Sequence, residues 1–129
     1  MNTSQLRNRE QRENRIDAAQ FHQFDLQSLC AALRTDDSYR TNGHTGLLLL
    51  KTKAMRVVLE VVRPGGEIGL HSVRGPTVLH VIEGSLRAHA QGEVHTLRPG
   101  ELLVLPGDRP RELHAEEDSA FLWSISLEG

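Results

Sequence analysis

The chain has 129 residues, with 15 Lys plus Arg against 17 Asp plus Glu and a formal net charge of -2. That length supports one hydrophobic core and not two, and the near balance of charge leaves no basic field to hold nucleic acid or an anionic membrane surface. The single cysteine, Cys30, excludes an internal disulfide framework and a cysteine-based zinc centre.

Residues 1–17 are polar, with Arg7, Arg9, Arg12 and Arg15 interleaved with Glu10 and Glu13. No apolar run there resembles a signal peptide. The longest apolar run, Gly46 to Leu50, is too short to cross a bilayer. A soluble, cytoplasmic protein is expected. Three stretches follow: residues 1–20, a polar arm without an apolar face, expected to be disordered; residues 21–45, a short helix and a loop; and residues 46–129, a β domain.

In the second stretch Asp25 precedes Leu26, Leu29, Ala32 and Leu33, whose spacing with an aspartate cap predicts one short amphipathic helix. It is expected to close one end of the domain, with Cys30 as a small buried side chain within it. Asp, Ser, Asn and Gly dominate from Asp36 to Thr45, which reads as a loop.

Every later apolar segment is short, rich in Val and Leu, and bounded by a turn signal. The strands expected are Gly46 to Thr52, Met55 to Arg63, Glu67 to Ser72, Thr77 to Ile82, Ser85 to Ala90, Glu93 to Leu97, Glu101 to Leu105, Arg111 to Ala115 and Ala120 to Leu127. Strands this short and closely spaced predict an all-β barrel or two-sheet jelly roll, because closure removes the exposed edges they would otherwise leave.

Within that pattern Gly65, His71, Val73, Thr77 and Gly84 stand at the intervals of one motif, and Gly100, Pro106, Asp108, Arg111 and Ala115 at those of a second. In these two blocks, over roughly residues 46–127, the chain resembles the cupin family, in particular compact single-domain bacterial cupins of the RmlC-like jelly-roll type. The resemblance implies a double-stranded β-helix whose matched glycines and proline set turns. It also implies inward metal ligands at positions 71, 73, 77 and 111, of which only His71 is retained. Val73 has no lone pair to give, the Thr77 hydroxyl is a poor ligand and the Arg111 guanidinium is a permanent cation. No metal and no other cofactor is therefore expected.

Strand alternation places Thr77, Leu79, Val81 and Val73 on one inward face, and His80, His89 and His114 outward. His95 shares a face with Leu97, while His22 and His44 fall in the arm and the loop and are expected to be solvated. His71, Thr77 and Arg111 are expected to converge on a cavity otherwise lined by Val73, Leu79, Val81 and Trp123. A cation there needs a counterion. Glu67, Asp108 and Glu112 are the nearby carboxylates, and an anionic ligand is the alternative; a third arrangement puts the Arg111 head in water at the barrel mouth. His71 can donate to a bound molecule, act as a general base, or be a residual histidine held by the protein itself.

Three functions are compatible with these residues. The first is a metal-free barrel that binds or senses a small anionic or polar molecule through His71, Val73, Thr77, Arg111 and Trp123. The second is a metal-dependent enzyme of dioxygenase or isomerase type, with His71 joined by His80 or His114. The third is a non-catalytic interaction module, a homodimer formed through Leu47 to Leu50 and Val57 to Val62.

Overall fold

A computed structural model describes residues 20–70, 75–107 and 111–127. Helix α1 (Leu26–Leu33) begins at Asp25, whose carboxylate accepts from the Ser28 amide, and it buries Leu29, Cys30, Ala32 and Leu33 along one stripe. The expected loop that follows contains a second helix, α2 (Asp37–Asn42). Asp36 caps its start by accepting from the Ser38 amide, and Gly43, at φ 86°, ends it in the left-handed region. The residue types that signalled a loop are also the ones that cap helices, which is why a six-residue helix was hidden among them.

The strands are β1 (His44–Lys51), β2 (Met55–Val62), β3 (Glu67–Leu70), β4 (Thr77–Glu83), β5 (Leu86–Ala90), β6 (Glu93–Leu97), β7 (Leu102–Leu105), β8 (Arg111–Ala115) and β9 (Ser119–Ser126). They form two antiparallel sheets, ordered β1-β2-β9-β4-β7 and β3-β8-β5-β6. The interleaving of chain order between sheets makes this a jelly roll, as the turn spacing predicts. The main shift is at β1, which starts two residues before the expected Gly46 because Gly43 ends α2 immediately beforehand.

The core lies between the sheets. Leu79, Val81 and Phe121 of the larger sheet meet Leu86, Ala88 and Leu113 of the smaller one, all 0% exposed. A second cluster covers the outer face of the larger sheet, where Leu29, Cys30 and Leu33 of α1 pack on Leu47, Leu49, Leu59, Val61 and Ala120. This corrects two expectations. Helix α1 lies across a sheet face instead of plugging a barrel end, and the apolar strands β1 and β2 are covered by their own chain. Leu47 and Leu59 are 1% and 0% exposed, whereas Leu48, Leu50, Val57 and Val58 stay half-buried.

What remains uncovered on that outer face is its far end. On β7, Leu102 is 56% and Val104 is 59% exposed, opposite His80 and Val78 of β4.

Candidate functional site

The two ends of the jelly roll differ in what closes them. At one end, Val81, Leu86, Leu97, Ala115 and Phe121 fill the space between the sheets. At the other end, β3 and β7 finish while β4 and β8 start, so Thr77 and Arg111 open their strands on the same rim.

Thr77 pairs with Leu105 on one side and Ile125 on the other, and is 1% exposed. Arg111 pairs with Leu70 and Ala90 in the opposite sheet and is 4% exposed. Its alternation with buried Leu113 and Ala115, against exposed Glu112, turns it inward. One guanidinium nitrogen, Nη2, donates to the Pro106 carbonyl at 2.7 Å. Pro106 directly follows Leu105, the partner of Thr77, so this bond ties β8 of one sheet to the end of β7 in the other. Burial pushes the arginine pKa down from its ordinary value, but that value is high enough for the group to stay charged at neutral pH.

The Arg111 head is thus not in water at the mouth. Nor are Glu67 and Glu112 its inward counterions. Both carboxylates lie on the outer face of the smaller sheet, where they flank His114 at 3.2 Å from Nδ1 and 3.3 Å from Nε2. Asp108, His71 and Val73 lie outside the described residues.

Trp123 sits one step further in along β9, paired with Val58 of β2 and Leu79 of β4, and packs against the core between the sheets. Its Nε1 is buried and finds no acceptor among the described residues. A buried donor without a partner costs about 1–3 kcal/mol, and native interiors generally avoid it.

The histidines divide as alternation predicts, with one exception. His80 is exposed on the outer face. His89 and His114 share the outer face of the smaller sheet and are half-buried because their rings meet edge to face at a centroid distance of 4.6 Å. His95 pairs with Ala88, a core residue, and is half-buried. The exception is His44, expected to be solvated. It opens β1, and its Nδ1 lies 3.0 Å from Oε1 of Glu60, which is 7% exposed. Hydrogen bonding to that carboxylate raises the His44 pKa. A signal for the pair was present: Glu60 shares the inward parity of Val62, and a charge on that face of an apolar strand requires a partner.

Outside the barrel, a recess of about 360 Å³ lies between the segment leading into α1 and strands β1 and β2, lined by Gln20, His22, Phe24, Leu49, Leu50 and Val57. Among the described residues no group of three or more His, Cys, Asp or Glu side chains is arranged to hold a metal ion. No helix among them is long and apolar enough to cross a membrane.

A family model for the cupin domain matches residues 58–127. The chain belongs to the cupin family. No curated protein matches it in sequence.

Among solved structures it is similar to an RmlC-like cupin protein from Desulfovibrio desulfuricans, with 23% identity and a TM-score of 0.69 over 85% of this chain and 100% of that one. It is also similar to a conserved protein of unknown function from Streptococcus pyogenes, with 19% identity and a TM-score of 0.66 over 88% and 92% of the two chains. Salicylate 1,2-dioxygenase from Pseudoaminobacter salicylatoxidans gives 21% identity and a TM-score of 0.69 over 79% of this chain and 32% of that enzyme. At these identities the likeness is one of fold.

Proposed function

We propose that this cupin is a metal-free barrel that binds or senses a small anionic or polar organic molecule at the rim where Thr77 and Arg111 begin their strands. The observation that carries this reading is Arg111, a charged guanidinium 4% exposed on the inner face of β8. A cation taken out of water is costly unless charge or hydrogen bonds answer it. The Pro106 carbonyl is one of the groups that answer it, and an anionic group on a ligand at the rim would add charge-assisted bonds to those already made.

The same residue argues against a divalent ion at that rim. A guanidinium repels a cation, and the hydroxyl of Thr77, on the same rim, is a weak metal ligand at neutral pH. His80 and His114, two histidines that could join His71 in a metal enzyme, stand on outer faces. The role assigned to Trp123 and Thr77 is to shape and line the site, with His71 and Val73 contributing from the segment between β3 and β4.

Thermal unfolding in the presence of a panel of small carboxylates tests the reading. Stabilisation by at least one carboxylate, lost in Arg111→Met, supports it; no shift with any member overturns it. Metal analysis of protein purified without an affinity tag provides the counter-test. A stoichiometric transition metal that disappears in His71→Ala would replace this reading with the enzyme.

A second reading concerns assembly. Val104 and Leu102 expose apolar side chains on β7, the free edge strand of the larger sheet, and such edges invite pairing. A homodimer that buries this edge follows. Sedimentation of the wild type against Leu102→Lys checks it: a dimer that the lysine splits is expected, and a monomeric wild type at high concentration refutes the idea.

A further inference from the structure

The recess outside the barrel is an apolar concavity on the outer side of β1 and β2. Leu49, Leu50 and Val57 form its floor, and the rings of His22 and Phe24, with centroids 6.5 Å apart and planes at 15°, form one wall. About 360 Å³ lined mainly by apolar side chains is surface that water covers at a cost. Phe21, between the lining residues Gln20 and His22, is 106% exposed and so does not fill it.

The chain itself leads to an occupant. Residues 1–19 lie outside the described residues, and Gln20, to which they are joined, belongs to the lining and stands at a bend. Upstream of that bend the sequence reads Arg15-Ile16-Asp17-Ala18-Ala19, and Ile16 is the only large apolar residue between positions 7 and 19. Four residues span at most about 14 Å. Ile16 is therefore tethered near the recess at an effective concentration in the millimolar range, above that of a second copy or a free ligand in dilute solution. We propose that the segment preceding Gln20 turns back at the bend and seats Ile16 on Leu50 and Val57, strapping the outer face of β1 and β2. Arg15 and Asp17, its charged neighbours, stay in water. Burial of one isoleucine side chain, less the ordering of a short tether, favours the strapped form about three- to tenfold. The contact is separate from Arg111 and does not depend on the carboxylate reading.

Full-length protein with labelled Ile, Leu and Val methyl groups is expected to show nuclear Overhauser contacts from Ile16 to Leu50 and Val57. Nile red, an uncharged dye that brightens in apolar sites, reads the recess independently. Ile16→Asp should bind it about three- to tenfold more tightly than the wild type does, and Leu6→Asp should match the wild type. Adding Leu50→Asp to Ile16→Asp should abolish the gain. Neither Ile16 nor Leu6 belongs to a core cluster, so both single variants keep the fold.

Absence of the methyl contacts, together with equal dye affinities in the wild type and Ile16→Asp, overturns the proposal. Contacts found only between differently labelled copies in a mixed sample overturn it too, and give the recess to a second copy of the chain.

Discussion

The two ends of this jelly roll use polar residues in opposite ways. At the closed end, polar groups answer one another. Arg34, just past α1, reaches Glu83 at 2.7 Å and Asp118 at 3.1 Å, which staples the helix to the turns beneath it. Ser119, 0% exposed, accepts from the Ser85 amide at 3.0 Å and donates to the Glu117 carbonyl at 2.7 Å. At the rim, Thr77 and Arg111 are buried, the guanidinium bonded to the Pro106 carbonyl, and further in the Trp123 indole N–H has no acceptor among the described residues. Polar groups answered from neighbouring elements hold the fold, while those turned toward the barrel interior are where the proposed ligand would add its contacts.

The comparison breaks first, if it breaks, at Gly84. Its φ is 84°, and a Cβ there would collide with the Ser119 hydroxyl and the Asp118 carbonyl and stand 2.7 Å from Ser119 Cα. Backbone strain and overpacking against an immovable turn both oppose a side chain, so Gly84→Ala should lose about 3 kcal/mol in urea unfolding. Gly100 has a similar φ of 86° but nothing within 4 Å of its would-be Cβ. There strain acts alone, and Gly100→Ala should cost about 1 kcal/mol. Equal losses at both glycines would show that the closed end is not tightly built.

Two arginines sharpen the contrast next. Arg111→Met removes a buried cation together with its bond to the Pro106 carbonyl, and the ligand-free protein should lose about 1–3 kcal/mol in urea unfolding. It should weaken carboxylate binding at least tenfold, because a charge-assisted bond carries about 1.5–3 kcal/mol. Arg34→Met should spare the ligand. Its side chain is 24% exposed and its partners are more so, which limits the loss of stability to about 1 kcal/mol, with carboxylate affinity untouched. Calorimetry and urea unfolding on both variants read the four quantities. A ligand effect at Arg34, or an Arg111→Met protein that fails to fold, would erase the distinction between the ends.

The same division explains what was legible in the sequence. Turn glycines and short apolar segments carry their conformation in their own chemistry, so the nine strands and the jelly roll could be read within a few residues. Alternation also placed Thr77, Leu79 and Val81 inward and His80 outward, since side-chain period is fixed by the pleat. What failed depended on which element covers which face. Helix α1 was expected at a barrel end and lies on β1 and β2, which moved the uncovered apolar surface to Leu102 and Val104. No local pattern specifies that docking. Glu67 and Glu112 fit as counterions by proximity in sequence, yet their parity with His114 puts them on the far side of the sheet from Arg111. His44 was assigned to solvent because α2 was not foreseen, and with it the early start of β1.

That histidine supplies the smallest test of the comparison, since its pair lies toward the closed end. Glu60 is level with Phe121 across β2 and β9. Hydrogen bonding to Glu60 raises the His44 pKa above its ordinary value of 6.5. The folded state therefore holds the His44 proton more tightly than the unfolded chain. The resulting stabilisation is complete below pH 6.5, where both states are protonated, and drains away as pH rises through the raised folded value. The His44 side chain is 33% exposed, and solvent screening holds the effect to about 0.5 kcal/mol. Urea unfolding from pH 5.5 to pH 8.5 should show Glu60→Gln losing less stability with rising pH than the wild type does. Carboxylate affinity of the variant should follow the wild type throughout, because the pair belongs to the end that is satisfied from within. Identical pH slopes in the two proteins would remove His44 and Glu60 from that account.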